Sequence, residues 1–188
     1  MFRSMARVRN LRPGYKVTYP NRDKAASKGT KVIVVLLLLV SIVLMAIVTV
    51  GGWSKLEGEQ PLNFFFVLVY LIFAYYIARW QRGLLPMAAA LGIVLLILAV
   101  IAGTGASGTS WFDRNHAGFG APQSLFGGGG LSPDTLGVAT VLMIPVEALL
   151  IFFSMLGFSQ GWNVEVEIPI DQSRPDGAIP PAATPAAA

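Results

Sequence analysis

Four apolar runs constrain this chain more than anything else in it: Val32–Val50, Leu62–Ala78, Leu84–Gly103 and Leu136–Phe158. Each falls within the roughly 17–25 residues that a helix needs to cross the hydrocarbon of a bilayer. No water is present there to satisfy backbone N–H and C=O groups, so such a run crosses as a helix that bonds its own amides. The expected fold is an all-α membrane protein, a four-helix transmembrane bundle over residues 32–158. A basic arm at 1–31 precedes it, a connection at 104–135 separates the third and fourth spans, and a tail at 159–188 follows. With 54% hydrophobic and 13% charged residues, the chain has no length left for a separate soluble domain of ordinary size.

The charges give this bundle a direction. Nine of the fourteen basic residues lie in the first 31, where Asp23 is the single acid. Lys24, Lys28 and Lys31 fall at helical spacing before the first span, and Arg79 and Arg82 flank the short junction of the second and third. The loops after the first and third spans carry only Lys55 and Arg114. Basic residues favour the cytosolic side. Both termini and the 79–83 turn are therefore expected in the cytosol, and the long glycine-rich loop outside. Lys24, Lys28, Lys31, Arg79 and Arg82 are the expected contacts to anionic lipid headgroups. An Arg-rich, acid-poor start also matches an organelle-targeting segment. An organelle inner membrane thus stands beside a bacterial plasma membrane, the leading location. The basic arm shows no stacking platform or reader motif, so nucleic acid is not an expected partner.

Within the fourth span sits Glu147, the only acidic or basic residue inside any of the runs. A charge at that depth costs roughly 2.5–3.5 kcal/mol on insertion scales, and such a residue marks a functional candidate. Thr140, Glu147 and Ser154 are spaced by seven and share one helix face. Two residues before Glu147, Pro145 removes the amide that would bond the Val141 carbonyl. The chain offers no intramembrane lysine or arginine to hold Glu147 charged, so a neutral, hydrogen-bonded acid is expected, with Tyr70 of the second span, Thr140 or the carbonyl left free by Pro145 as partner. Three roles stand open: a structural hydrogen bond, a proton or cation relay, and a polar contact to another subunit.

The other spans offer packing surfaces. Ala88, Gly92, Ala99 and Gly103 line one face of the third span, where small residues let helices approach closely. The second span is aromatic, with Phe64, Phe65, Phe66, Tyr70, Phe73, Tyr75 and Tyr76. Its linker to the third is so short that the two are expected to form a tight antiparallel hairpin. Outside the spans, Tyr15, Val17 and Tyr19 alternate with polar residues, as do Val164, Val166 and Ile168 with Glu165 and Glu167. That alternation, with opposite charges, predicts a short two-stranded ladder. The Pro/Ala-rich end of the tail is expected to be disordered.

Motifs for chemistry are few. Gly103, Gly105 and Gly108 match GxGxxG, but a nucleotide site needs a strand before and a helix after. Here a span precedes and a glycine-rich loop follows. Thr109 stands where a phosphate-binding loop needs its lysine. His116, the single histidine, has Asp113 nearby, whereas metal sites take three or four ligands. The absence of cysteine removes thiolate ligands and nucleophiles. No catalytic residue, metal or cofactor is expected, and the chain reads as a non-enzyme first, with a membrane enzyme as a third reading that has no residues to name. The leading function is a small accessory or assembly subunit of a larger membrane complex. The alternative is a transporter or channel component in which Glu147 carries a proton or cation.

Overall fold

The computed structural model describes residues 14–56, 58–104, 112 and 130–170. The amphipathic start before Pro13, most of the 104–135 loop with His116, Gly105 and Gly108, and the Pro/Ala-rich tail lie outside the described residues. The elements run β1 (Tyr15–Thr18), α1 (Pro20–Asp23), α2 (Ala25–Gly51), α3 (Gln60–Ala78), α4 (Leu85–Thr104), α5 (Pro133–Ser159) and β2 (Val166–Pro169). The protein is mostly helical, and four of its helices are long and apolar enough to cross a membrane.

The helix ends follow local chemistry. α2 begins at Ala25, seven residues ahead of the apolar run, so Lys28 and Lys31 ride on its first turns. α3 carries Pro61 in its first turn, where the missing amide has no helical partner to lose. α5 opens on Ser132, whose Oγ accepts from the Thr135 amide at 3.2 Å, with Pro133 next and Asp134 in the first turn. All three choices suit the exposed amides and positive dipole of a helix start. α5 continues through Pro145 to Ser159.

Side chains are distributed inside out relative to a soluble domain. Leu36, Leu68, Ile97 and Phe152 are each more than half exposed, on four different helices. Meanwhile Ser27, Thr30, Ser41, Thr49, Thr140, Glu147 and Ser154 are buried. Soluble monomers rarely expose contiguous apolar surface beyond a few hundred Å². A bilayer makes such a surface favourable and drives polar groups inward to find partners.

Spatial order differs from chain order. α3 packs on α2, α2 on α5, and α5 on α4, whereas α3 and α4 barely touch. The expected hairpin of these two is thus only a turn. Trp80 adopts a left-handed φ of 66°, its amide bonds the Ile77 carbonyl at 2.9 Å, and a 3-10 turn over Arg82–Leu84 leads into α4. Beyond the turn each helix follows its better surface. α4 sets its small residues against α5: a Cβ added at Gly103 would lie 3.0 Å from Val141 Cγ2 and 3.2 Å from the Val141 amide nitrogen. Ala88 and Ala99 on the same face are buried. Association in lipid rests on close packing, so the smoothest face takes the closest neighbour.

One end of the bundle is closed by the terminal segments. β1 and β2 pair antiparallel, with Val17 opposite Glu167 and Thr18 opposite Val166. This is the ladder that the alternation implied. Two strands alone are marginal in water, and here the segments between the strands and the long helices are tied together at the helix ends. The Arg22 guanidinium donates to the Trp162 carbonyl at 3.1 Å and to Asn163 Oδ1 at 3.0 Å. Trp162 is fully buried, meets Trp80 edge-on at 5.2 Å and donates to Gln160 Oε1.

Candidate functional site

Glu147 lies at the middle of α5, and three other helices converge on it. Ser41 Oγ on α2 donates to its Oε1 at 2.5 Å, and the Tyr70 hydroxyl on α3 donates to its Oε2 at 2.9 Å. All three side chains are fully buried. α4 closes the remaining side with backbone: a Cβ added at Gly92 would lie 3.3 Å from Glu147 Oε2 and 3.1 Å from Ile151 Cγ1. Only glycine leaves the carboxylate room without pushing a neighbour.

Each partner is placed by its own helix. Tyr70 follows Phe66 by one turn and packs edge-on against its ring at 6.1 Å, which steers the hydroxyl inward. Ser41 shares the buried stripe of α2 with Val34, Leu38, Met45 and Val48. Ser41 and Thr49 are the two polar residues of the first span, but sequence position does not reveal the depth of Ser41 relative to Glu147. Matching the depths of antiparallel helices requires the packed register.

The other members of the polar stripe behave separately. Thr140 is buried, and its Oγ1 donates to the Leu136 carbonyl of its own helix at 2.9 Å. Ser154 is buried with no hydrogen-bond partner for its Oγ. Seven residues of helix rise about 10.5 Å, so neither hydroxyl reaches Glu147. The structure therefore joins Glu147 with Tyr70 and Ser41, and leaves Thr140 and Ser154 on the same face but apart.

Of the small-residue face, Gly92 and Gly103 meet α5 directly, and Ala88 and Ala99 are buried beside them. The five cations gather at the strand end but differ in use. Lys31 points to the Ala78 carbonyl at 3.5 Å and lies 4.1 Å over the Trp80 ring. Arg82 donates to the Phe158 carbonyl at 2.8 Å and lies 4.2 Å over its ring. Both meet the negative end of a helix dipole and tie elements together. Arg79 donates to the Tyr75 hydroxyl at 3.1 Å, Lys28 stands 3.9 Å from Asp23, and Lys24 is exposed. These three are surface groups, where ion pairs contribute little.

Chemically, the Glu147 site is a polar latch. It holds a carboxyl with one hydroxyl per oxygen and binds α2, α3 and α5 at one depth. Among the described residues, no three His, Cys, Asp or Glu side chains come together as a metal site. Comparison with models of known protein families, with curated proteins and with solved structures finds no match to this chain.

Proposed function

We propose that the chain is a non-enzymatic accessory subunit of a membrane assembly, a scaffold that holds its own shape and offers its lipid-facing surface to other chains. The observation that supports it most is the closure of Glu147 inside the bundle: both carboxyl oxygens are bonded by hydroxyls from two other helices of the same chain. A group held this way serves internal rigidity, and recognition of partners then falls to the apolar exterior. We place the strand end in the cytosol, because Lys24, Lys28, Lys31, Arg79 and Arg82 all gather there. The glycine-rich loop then lies outside, and a bacterial plasma membrane is the matching location.

The decisive experiment compares the native complex with the isolated protein. Tagged chain extracted in mild detergent is expected to carry other membrane proteins in fixed ratio. Chain reconstituted alone in liposomes is expected to pass no protons or alkali cations. A chain that recovers alone and conducts would overturn the accessory role in favour of the relay.

A further inference from the structure

We infer that the cleft between α3 and α4 binds one acyl chain of a membrane lipid. The inference rests on the chain's crossing a bilayer and is independent of its role as an accessory subunit. α3 and α4 separate after their shared turn, and at their far ends the gap deepens into a cavity of about 100 Å³. Leu62 on α3 and Leu98 on α4 line it from either side of the gap, 42% and 37% exposed. Its floor is Met45 of α2, Met143 of α5 and Leu95 of α4, all nearly inaccessible.

The lining decides the occupant. Apart from Glu59, Asn63 and Thr140, the walls are apolar. Thr140 already spends its hydroxyl proton on its own helix. A water needs two to four polar partners, and an apolar cavity of roughly 150 Å³ stays dry and admits a benzene-sized guest. A few methylenes therefore fit this space better than water does. The gap opens between two helices whose outer faces carry exposed apolar residues such as Leu68 and Ile97. In a bilayer, the medium at that opening is lipid.

The rim suits the other end of such a molecule, because the Asn63 amide can donate to an ester carbonyl. Glu59 precedes the first residue of α3 and Asn63 lies in its first turn, at the rim of the cavity. Trp53 stacks edge-on with Phe64 at 6.1 Å nearby, an aromatic pair of the kind that sits at headgroup depth. An amphiphile would place its ester region at this rim and its tail on Met45 and Met143. Met143 precedes Glu147 by one helical turn. The tail would thus fill the space above the polar latch and keep water from it.

The test uses the full chain in nanodiscs of phosphatidylcholine doped with a phosphatidylcholine that carries a diazirine at the end of one acyl chain. Illumination followed by peptide mass spectrometry is expected to find adducts at Met45 or Met143 as well as at Leu68 and Ile97. Ala102→Trp and Leu98→Trp place bulk at the cavity wall and are expected to lose the floor adducts. Retained adducts at Leu68 and Ile97 would show that these variants still fold and insert. Ala90→Trp, on an exposed position of α4, is expected to label as the wild type does. Two results overturn the proposal: adducts confined to lipid-facing positions in the wild type, or floor adducts that survive both wall substitutions.

Discussion

Each oxygen of Glu147 has one hydroxyl donor, and this pairing separates the effects of its substitutions. In Glu147→Gln, the carbonyl accepts from one hydroxyl and the amide donates to the other, so both links survive with one reversed. Near-native thermal stability in bicelles is expected. Glu147→Leu leaves Ser41 and Tyr70 without their partner. Intramembrane hydrogen bonds average about 0.6 kcal/mol and reach about 1.7. Ser41 can fall back on a carbonyl of its own helix, whereas Tyr70 has no such recourse. A loss of about 1–2 kcal/mol in reversible unfolding is therefore expected, most of it reproduced by Tyr70→Phe alone. A Glu147→Leu variant as stable as the wild type would remove the latch. Trp162 offers a second residue-level test. It is fully buried, meets Trp80 edge-on and bonds Gln160. Trp162→Ala is expected to lower stability by about 3–5 kcal/mol, the range for deleting a buried ring. A loss below about 1 kcal/mol in the same unfolding assay would mean that the strand end folds independently of the bundle.

Between helices, the contact that shape alone determines is α4 on α5. At Gly103 the nearest atoms to an added Cβ include a backbone nitrogen, which cannot rotate away. Gly103→Val is expected to push the helices apart and cost about 1–3 kcal/mol, as overpacking does. Ala90→Val, on the exposed side of the same helix, is expected to change stability little, and parity of the two variants would contradict the packing described. The small-residue stripe was legible in the sequence, because its spacing is a property of one helix. Its neighbour was not. Chain proximity favoured α3, and only the fit of Gly92 and Gly103 to Ile151 and Val141 selects α5. The same division holds at the site. Glu147 was conspicuous because charge inside an apolar run is unfavourable wherever the run goes. Ser41 was inconspicuous because a serine in a span is ordinary until its depth meets that of a carboxyl. The two strands were legible from period-two alternation, but their anchorage on Arg22 and Trp162 depends on the chain ends returning to one place.

For the molecule as a whole, the arrangement of charge predicts how it sits in a membrane. The turn after α3, the start of α2 and the end of α5 share the strand end, where Lys31 and Arg82 are bound to helix-terminal carbonyls. Among the described residues at the opposite end, Lys55 is the basic side chain, and it is buried with its ammonium on the Leu131 carbonyl at 2.7 Å. Translocating the strand end would carry Lys16 and Arg22 across with the five cations named above, each disfavoured on the non-cytosolic side, whereas the other end presents, among the described residues, a single sequestered one. The strand end is therefore expected inside. The chain has no cysteine, so single reporters read cleanly. Lys16→Cys on the exposed face of β1 and Asp134→Cys at the start of α5 report opposite ends. In intact cells an impermeant maleimide is expected to label position 134 and spare position 16 until the membrane is opened. Replacing Lys24, Lys28 and Arg79 together with glutamine leaves the structural contacts of Lys31 and Arg82 in place but weakens the bias. A fraction of molecules is then expected to invert, with label appearing at position 16 in intact cells. Label at 16 but not 134 in the unaltered charge background would reverse the orientation. Equal labelling of both from outside would contradict the four-span arrangement itself.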